Sequence, residues 1–401
     1  NPVDIFRGSN KTGVSIGLFR KGLVVGQFVA SVAMIIVTII VGQQLSYLQH
    51  KDLGYQREQT IIIPTNKGGE EGARLADLYK VELQKQPQVS SAAVSTFSFL
   101  EPGWITVGYE DDNGTYRLLR MNSVDADFIN TTNIQLLAGR NFSKDNSADI
   151  TGSMIVNEAL VKEYGWEDPI GKKLPGRFEQ RVIGVVKDFH FESLHTPIQP
   201  LALVMDRQTF LRAANDVGFP AAPQPRVTVR LQSGSLAGNV DILKNAWTAV
   251  APNQDFEYQF LDEALAQQYA QELRLGSIVQ VASLLSIFIA CMGLFGLATL
   301  AVARRVKEIG IRKVLGASVK DVVTLLSRDF LIMVLIAIVI ATPIAWWAMN
   351  QWLQDFAYRV DIQWWVFALA GVASIVIALA TVGFQALRAA MANPVDAIKT
   401  E

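Results

Sequence analysis

Four stretches of the chain are apolar without interruption by Asp, Glu, Lys or Arg: residues 22–45, 277–303, 330–350 and 364–386. A helix needs about 20 apolar residues to cross a bilayer, so each stretch is long enough to span one. Residues 46–276 follow a different pattern, with short apolar runs between polar ones. TIIIPT (60–65), SAAVSTF (91–97), YRLLRMNSV (116–124), RVIGVV (181–186) and RVTVRL (226–231) predict strands, being rich in β-branched residues and bounded by turn formers. Helical spacing of apolar residues predicts helices over Leu75–Gln86, Asn157–Tyr164 and Leu236–Val250. Another helix, beginning near Asp262, is expected to run unbroken into the second apolar stretch, while 46–56 extends the first, giving two helical stalks. Gly218–Pro225, GFPAAPQP, reads as a loop between subdomains. The expected fold is a membrane protein with four transmembrane α-helices and a large α+β domain (46–276, stalks included) inserted between spans 1 and 2.

Charge orients this pattern. Arg7, Lys11, Arg20 and Lys21 precede the first span, and Arg304, Arg305, Lys307, Arg312, Lys313 and Lys320 follow the second. The connection 351–363 has Arg359 as its one basic residue. Because loop Lys and Arg stay on the cytoplasmic side, the tails 1–21 and 387–401 and the segment 304–320 are expected inside, with 46–276 and 351–363 outside. Trp346, Trp347, Trp352, Trp364 and Trp365 gather around the outer loop, as interfacial aromatics do. Composition agrees: 50% of residues are hydrophobic, 18% are charged, and the mean hydropathy is +0.24. The net charge of −1 gives no reason to expect a nucleic-acid partner. No ionisable residue lies deep in a span, which argues against a proton or ion relay.

Candidate chemistry is sparse. Cys291 lies inside an apolar run and has no second cysteine to pair with. His190 and His195, with Asp188 and Glu192, match no common zinc spacing and read as loop polar residues. Gly165–Lys173, GWEDPIGKK, superficially evokes a phosphate-binding loop, but Lys stands where Ser or Thr is needed and the spacing is too long. Neither a catalytic group, a metal site nor a cofactor site is expected. Small residues recur at i, i+4 in three spans: Gly22, Gly26, Ala30; Ala282, Ser286, Ala290; and Ala370, Ser374, Ala378, spacings that permit close helix contact. Asn1-Pro2-Val3-Asp4 reappears as Asn393-Pro394-Val395-Asp396. The chain starts with Asn, and its first apolar run is too long for a signal-peptide core. Both features are read as marks of a fragment or processed piece, residue 1 being the tail of a preceding similar unit.

The stretch 304–318, RRVKEIGIRKVLGAS, carries five basic residues and one acid. Glu308 and Arg312 are spaced to pair on one helical face. Gly316 suits a helix C-cap, and Ser318 with Asp321 has capping-box spacing. A short helix, a break and a long helix are expected, although charge alone favours a solvated loop that only sets topology. This string, followed by an apolar helix with Pro343 and a last span ending in NPVDAIKTE, resembles the FtsX-like permeases of ABC transporters, in particular the MacB type. GQF (26–28), KDLGY (51–55), LLAGRNFS (136–143), GWEDPIGKKL (165–174) and VIGVVKDFHFESLH (182–195) extend the resemblance over nearly the whole chain.

The resemblance implies a MacB-like periplasmic core domain and a bacterial inner-membrane location. It also implies a coupling helix over Glu308–Lys313, with Arg304, Arg305, Lys307, Glu308, Ile309, Gly310, Arg312, Lys313 and Gly316 serving contact with an ATPase. Similarity to the second half of eight-span permeases implies a second permease half or protomer. MacB proper carries its ATPase on the same polypeptide, whereas the chain holds no G-x-x-x-x-G-K-[ST] string. The chain itself is therefore not expected to be an enzyme, and a cytoplasmic ABC ATPase subunit is expected as partner. Membrane lipid and a periplasmic adaptor or outer-membrane factor complete the expected partners. The implied function is efflux or export by mechanotransmission. The alternatives are FtsX-like regulation of an envelope enzyme and lipoprotein extraction of the LolC and LolE kind.

Overall fold

The fold is that of a computed structural model, which describes residues 9–99, 101, 103–232, 236–305, 308, 311–312 and 318–391. The longer helices are α1 (Ser9–His50), α2 (Gly69–Leu83), α3 (Leu236–Val250), α4 (Leu261–Gln268), α5 (Ala270–Arg304), α6 (Val319–Leu353) and α7 (Trp364–Met391). Stretches within α1, α5, α6 and α7 are long and apolar enough to cross a membrane: Phe19–His50, Ala270–Arg304, Val323–Leu353 and Trp364–Arg388. The chain divides into two compact units, one built on these four helices and one made of His50–Ala270 with Phe356–Tyr358.

In the helical unit, small side chains set how closely helices approach. Ala337, Ala341 and Ala345 of α6 and Ala370, Ser374 and Ala378 of α7 are all buried. In lipid the hydrophobic effect does not drive helices together, so close approach of backbones supplies the attraction through dispersion. α1 and α5 meet through Ser31, whose hydroxyl lies 2.9 Å from both the Ser286 carbonyl and the Ser286 hydroxyl. Further along, a methyl group added at Gly276 would stand 2.7 Å from Leu45 Cδ1, inside van der Waals contact. Of the three small-residue stripes, those on α5 and α7 therefore lie in helix contacts. The stripe Gly22, Gly26, Ala30 is exposed, with open space at both glycines. Pro343 cannot donate to the carbonyl one turn earlier, yet α6 runs through it. Beside it, the Thr342 hydroxyl donates to Ile338 O at 2.8 Å. Gln44 is fully buried, and its Oε1 accepts from the Val360 amide at 2.9 Å.

The other unit is α+β. Its strands are β1 (Thr60–Pro64), β2 (Val89–Ser95), β3 (Ile105–Glu110), β4 (Tyr116–Ser123), β5 (Leu136–Gly139), β6 (Ser153–Asn157), β7 (Arg181–Val186), β8 (Leu201–Val204), β9 (Asp216–Gly218), β10 (Arg226–Leu231) and β11 (Gln259–Phe260). They form a four-stranded sheet in the order β11-β1-β10-β2 and a seven-stranded one in the order β5-β7-β6-β8-β4-β3-β9. The smaller is antiparallel, whereas β4–β8 and β6–β7 of the larger are parallel. Residues 219–225 lead from β9 of the larger sheet to β10 of the smaller. Ile61, Ile63, Val227 and Val229 pack with Tyr79 of α2 and Trp247 of α3 in one core. The two rings meet edge-on at 5.0 Å, and the Tyr79 hydroxyl donates to Leu243 O at 3.0 Å. Truncating a buried aromatic of this kind typically costs about 3–5 kcal/mol.

Two expectations require correction. The helix expected to run unbroken from Asp262 is divided: α4 ends at Gln268, Tyr269 leaves helical geometry, and α5 starts at Ala270. No Gly or Pro breaks it. At the break the Tyr269 hydroxyl accepts from the Leu194 amide at 3.1 Å, a tertiary contact that local sequence does not encode. Likewise α1 stops at His50, and 51–56 turn away from helix, with Gly54 at φ +82° and its amide bonded to Asp52 Oδ1 at 2.9 Å. Adding a Cβ at Gly54 would place it 2.8 Å from Phe189 Cβ, so glycine is required there twice over.

Candidate functional site: the basic segment and a junction of motifs

The expected coupling segment is described at Arg304, Arg305, Glu308, Ile311, Arg312 and Ser318. Lys307, Ile309, Gly310, Lys313 and Gly316 lie outside the described residues, as do both NPVD copies. Arg304 ends α5. Arg305 Nη2 stands 3.4 Å from Asp329 Oδ2, an exposed pair across the connection. Glu308, Ile311 and Arg312 have helical backbone, and Arg312 donates to Glu308 at 2.9 Å. Such an exposed i, i+4 pair contributes about 0.3–0.5 kcal/mol, enough to bias a short helix and no more. Ser318 then starts α6 with a complete capping box: its hydroxyl accepts from the Asp321 amide, and the Asp321 carboxylate accepts from the Ser318 amide at 3.0 Å. Ile311 is 56% exposed, an apolar side chain in a charged neighbourhood.

A second cluster was not visible in the sequence as a cluster. KDLGY (51–55) meets KDFHFESLH (187–195) through the His190 amide, which donates to Leu53 O at 2.8 Å. The ring of His190 packs edge-on to Tyr358 at 4.6 Å, and Lys51 Nζ lies 4.6 Å above the same Tyr358 ring. His195 stacks on Phe356 at 4.4 Å and receives the Ala357 amide on its carbonyl at 3.3 Å. The Tyr358 hydroxyl accepts from the Ile198 amide at 3.3 Å. Burial, with Lys51 nearby, lowers the His190 pKa to about 4 against the opposing pull of Asp52. The imidazole is thus neutral at pH 7. Of the other members of the apparent metal set, Glu192 pairs with Arg120 at 2.7 Å, and Asp188 accepts from the Ala159 amide at 3.0 Å. These four side chains are therefore spread over separate contacts.

The remaining quoted motifs are structural. In LLAGRNFS, Gly139 at φ +73° lies against the Ile183 carbonyl, and Arg140 forks onto Asp149 at 2.5 and 2.7 Å. The Arg140 hydrogen bonds, aided by Ser143 and Ser153, hold the Asp149 carboxyl below its ordinary pKa. GWEDPIGKKL is a turn sequence with Gly165 and Gly171 at positive φ, and Gly171 bonds back to Val182 O at 2.7 Å.

Comparison with known proteins matches residues 22–241 to the MacB-like periplasmic core domain and residues 280–394 to the FtsX-like permease C-terminal domain. The chain belongs to the MacB/FtsX-like family of ABC transporter permeases. It is a multi-pass membrane protein with an α+β domain between its first and second spans. The family is one of permease components, to which an ATPase partner and a permease partner generally belong. No curated protein sequence matches the chain. Among solved structures, the periplasmic region of MacB from Actinobacillus actinomycetemcomitans is 17% identical, with a TM-score of 0.37, over 56% of this chain and 97% of that one. The extracellular domain of the noncanonic ABC-type transporter YknZ from Gram-positive bacteria is 16% identical, with a TM-score of 0.33, over 50% of this chain and 98% of that one. A domain of a putative permease protein from Porphyromonas gingivalis is 17% identical, with a TM-score of 0.33, over 50% and 89% of the two chains.

Proposed function

We propose that this permease converts ATP hydrolysis by a separate cytoplasmic ABC ATPase into motion of the inserted domain, in the service of efflux or export. In this reading the protein resides in a bacterial inner membrane, with both termini and 304–320 in the cytoplasm and the inserted domain in the periplasm. The basic segment, Arg304 through Gly316, receives the push of the ATPase. The observation that carries the reading is the junction of motifs. The domain unit is entered at His50, left at Ala270 and revisited at Phe356–Tyr358. Residues next to all three points, Lys51, Tyr269 and Tyr358, gather around His190–His195. Displacement of any span thus acts on one shared set of side chains. No deep charge marks a hydrophilic path through the spans, which supports motion rather than passage as their output.

The test is to insert a short Gly-Ser segment after Leu275, within α5, and to express the variant with its ATPase. Transport is expected to fall to background while ATP hydrolysis continues, because a flexible link dissipates displacement that a helix transmits. Retained transport by a correctly expressed variant would rule mechanotransmission out.

A further inference from the structure

A cavity of about 250 Å³ opens at the end of the helical unit where the apolar runs of α1 and α5 begin and end. Arg20 and Lys21 of α1, Arg304 of α5 and Arg305 just beyond it line this cavity, facing Asp329 of α6. Four cations converge on one carboxylate, and that carboxylate is engaged by Arg305. Among the described residues, no carboxylate pairs with Arg20, Lys21 or Arg304. Below the charges, the walls turn apolar: Leu297, Leu300, Leu326 and Phe330 line the same space. A topology signal needs basic residues near span ends but does not need cations from different helices to share one cavity. Unpaired like charges brought together repel, so the arrangement is stable when an anion lies among them.

We infer that this cavity binds the headgroup of an anionic phospholipid, its phosphate among Arg20, Lys21 and Arg304 and its acyl chains along the apolar wall of α5 and α6. The surroundings select a lipid over a soluble anion. The cavity lies where the apolar runs of the spans end, Leu297, Leu300, Leu326 and Phe330 line it beside the cations, and acyl chains suit that apolar wall as a free anion does not. Basic pockets between membrane helices suit such headgroups on charge and depth alike. The site requires no ATPase and stands or falls independently of the coupling role proposed above.

The experiment uses the full chain, purified in detergent and offered phosphatidylglycerol or phosphatidylcholine, with retained lipid counted by native mass spectrometry. Wild type is expected to hold one phosphatidylglycerol in clear preference to phosphatidylcholine. Arg20→Gln with Lys21→Gln is expected to weaken phosphatidylglycerol retention roughly 25-fold, given the strength with which each surface cation attracts anionic lipid. Arg388→Gln, at the end of α7 and outside the cavity lining, is expected to leave retention unchanged. Helicity measured by circular dichroism separates loss of the site from loss of the fold. Equal retention of the two lipids, or undiminished preference in a folded double variant, overturns the assignment. Displacement of the lipid by millimolar inorganic phosphate alone would assign the site to a free anion and overturn it as well.

Discussion

The two units solve the same problem, holding helices and strands in place, by opposite means. In the domain, charges are buried and paired. Lys80, with a side chain 6% exposed, reaches both Asp125 and Asp127, and Lys144 holds Asp127 from the other side at 2.7 Å. The Asp125 carboxylate also accepts from the Val94 amide at 2.9 Å, so α2, β2 and the end of β4 are tied at one point. Arg226 and Glu101 make a second such tie, with the Ser98 amide on the same carboxylate at 2.7 Å. Among the described residues, the helical unit has nothing comparable at its centre; Ser31–Ser286 and rows of alanine hold it instead. Directional charge pairs fix one geometry and punish every other. Dispersion between smooth helix faces is weaker per contact and far more tolerant of displacement.

That contrast can be broken most severely at Lys80. Lys80→Ala leaves Asp125, 18% exposed, without its cation while Lys144 still holds Asp127, and is expected to cost the domain about 3 kcal/mol. Hydrogen exchange of the β2 and β4 amides should accelerate accordingly while α6 and α7 exchange as in wild type. Unchanged β2 protection would remove the triad from the domain's stability. The next effect is expected at Gly276. Gly276→Leu drives a side chain into Leu45, and overpacking of this kind typically costs about 1–3 kcal/mol. Cysteines at Ser31 and Ser286 should cross-link readily in the parent and poorly in the Gly276→Leu background; equal yields would refute the close approach of α1 and α5.

Acid tests the domain a third way. Because the folded His190 pKa is depressed to about 4, the unfolded chain takes up a proton first as pH falls below the ordinary histidine value of 6.5. Stability conferred by the neutral imidazole is full above 6.5 and is lost on the way down to about 4, by at most about 2 kcal/mol after allowance for solvent screening. The protection factor of the amide at position 190, corrected for intrinsic exchange at each pH, should fall over that interval in wild type and stay flat in His190→Gln. A flat wild-type profile would mean that the ring is already solvated. The smallest effect belongs to the membrane. A double-mutant cycle between Ser31→Ala and Ser286→Ala should return a coupling near 0.6 kcal/mol, the average for hydrogen bonds between membrane helices. A value of several kcal/mol would erase the distinction between the units.

What could be read from the residues follows the range of the interactions. The four spans were legible because a charge-free apolar run of about 20 residues matches the thickness of a bilayer and is rarely tolerated in a water-facing domain. RVIGVV and RVTVRL match β7 and β10 residue for residue, their β-branched composition being decisive. SMIVN and LALV were missed because β6 and β8 are buried at every position, leaving no alternation to detect. Glu308–Arg312 and Ser318–Asp321 were readable because each is set by helical spacing alone. The junction was not: Leu194 and Tyr269 stand 75 positions apart, and Ile198 and Tyr358 stand 160 apart. Its motifs were visible one by one, but only folding makes them neighbours. The break at Tyr269 is of the same kind, since its hydroxyl meets the amide of Leu194, far off in sequence.

The Lys80 triad has a consequence for descent. Lys80 and Asp125, 45 positions apart in sequence, satisfy one another in the domain, and losing Lys80 alone leaves Asp125 without its cation. A single step at Lys80 passes through a chain with an unpaired, largely covered carboxylate at Asp125, so lineages should either keep this pair or replace it together. Among relatives of this permease, a hydrophobic residue at the position of Lys80 is expected to travel with loss of the acid at Asp125. Finding the two changing independently would show that the lock is dispensable.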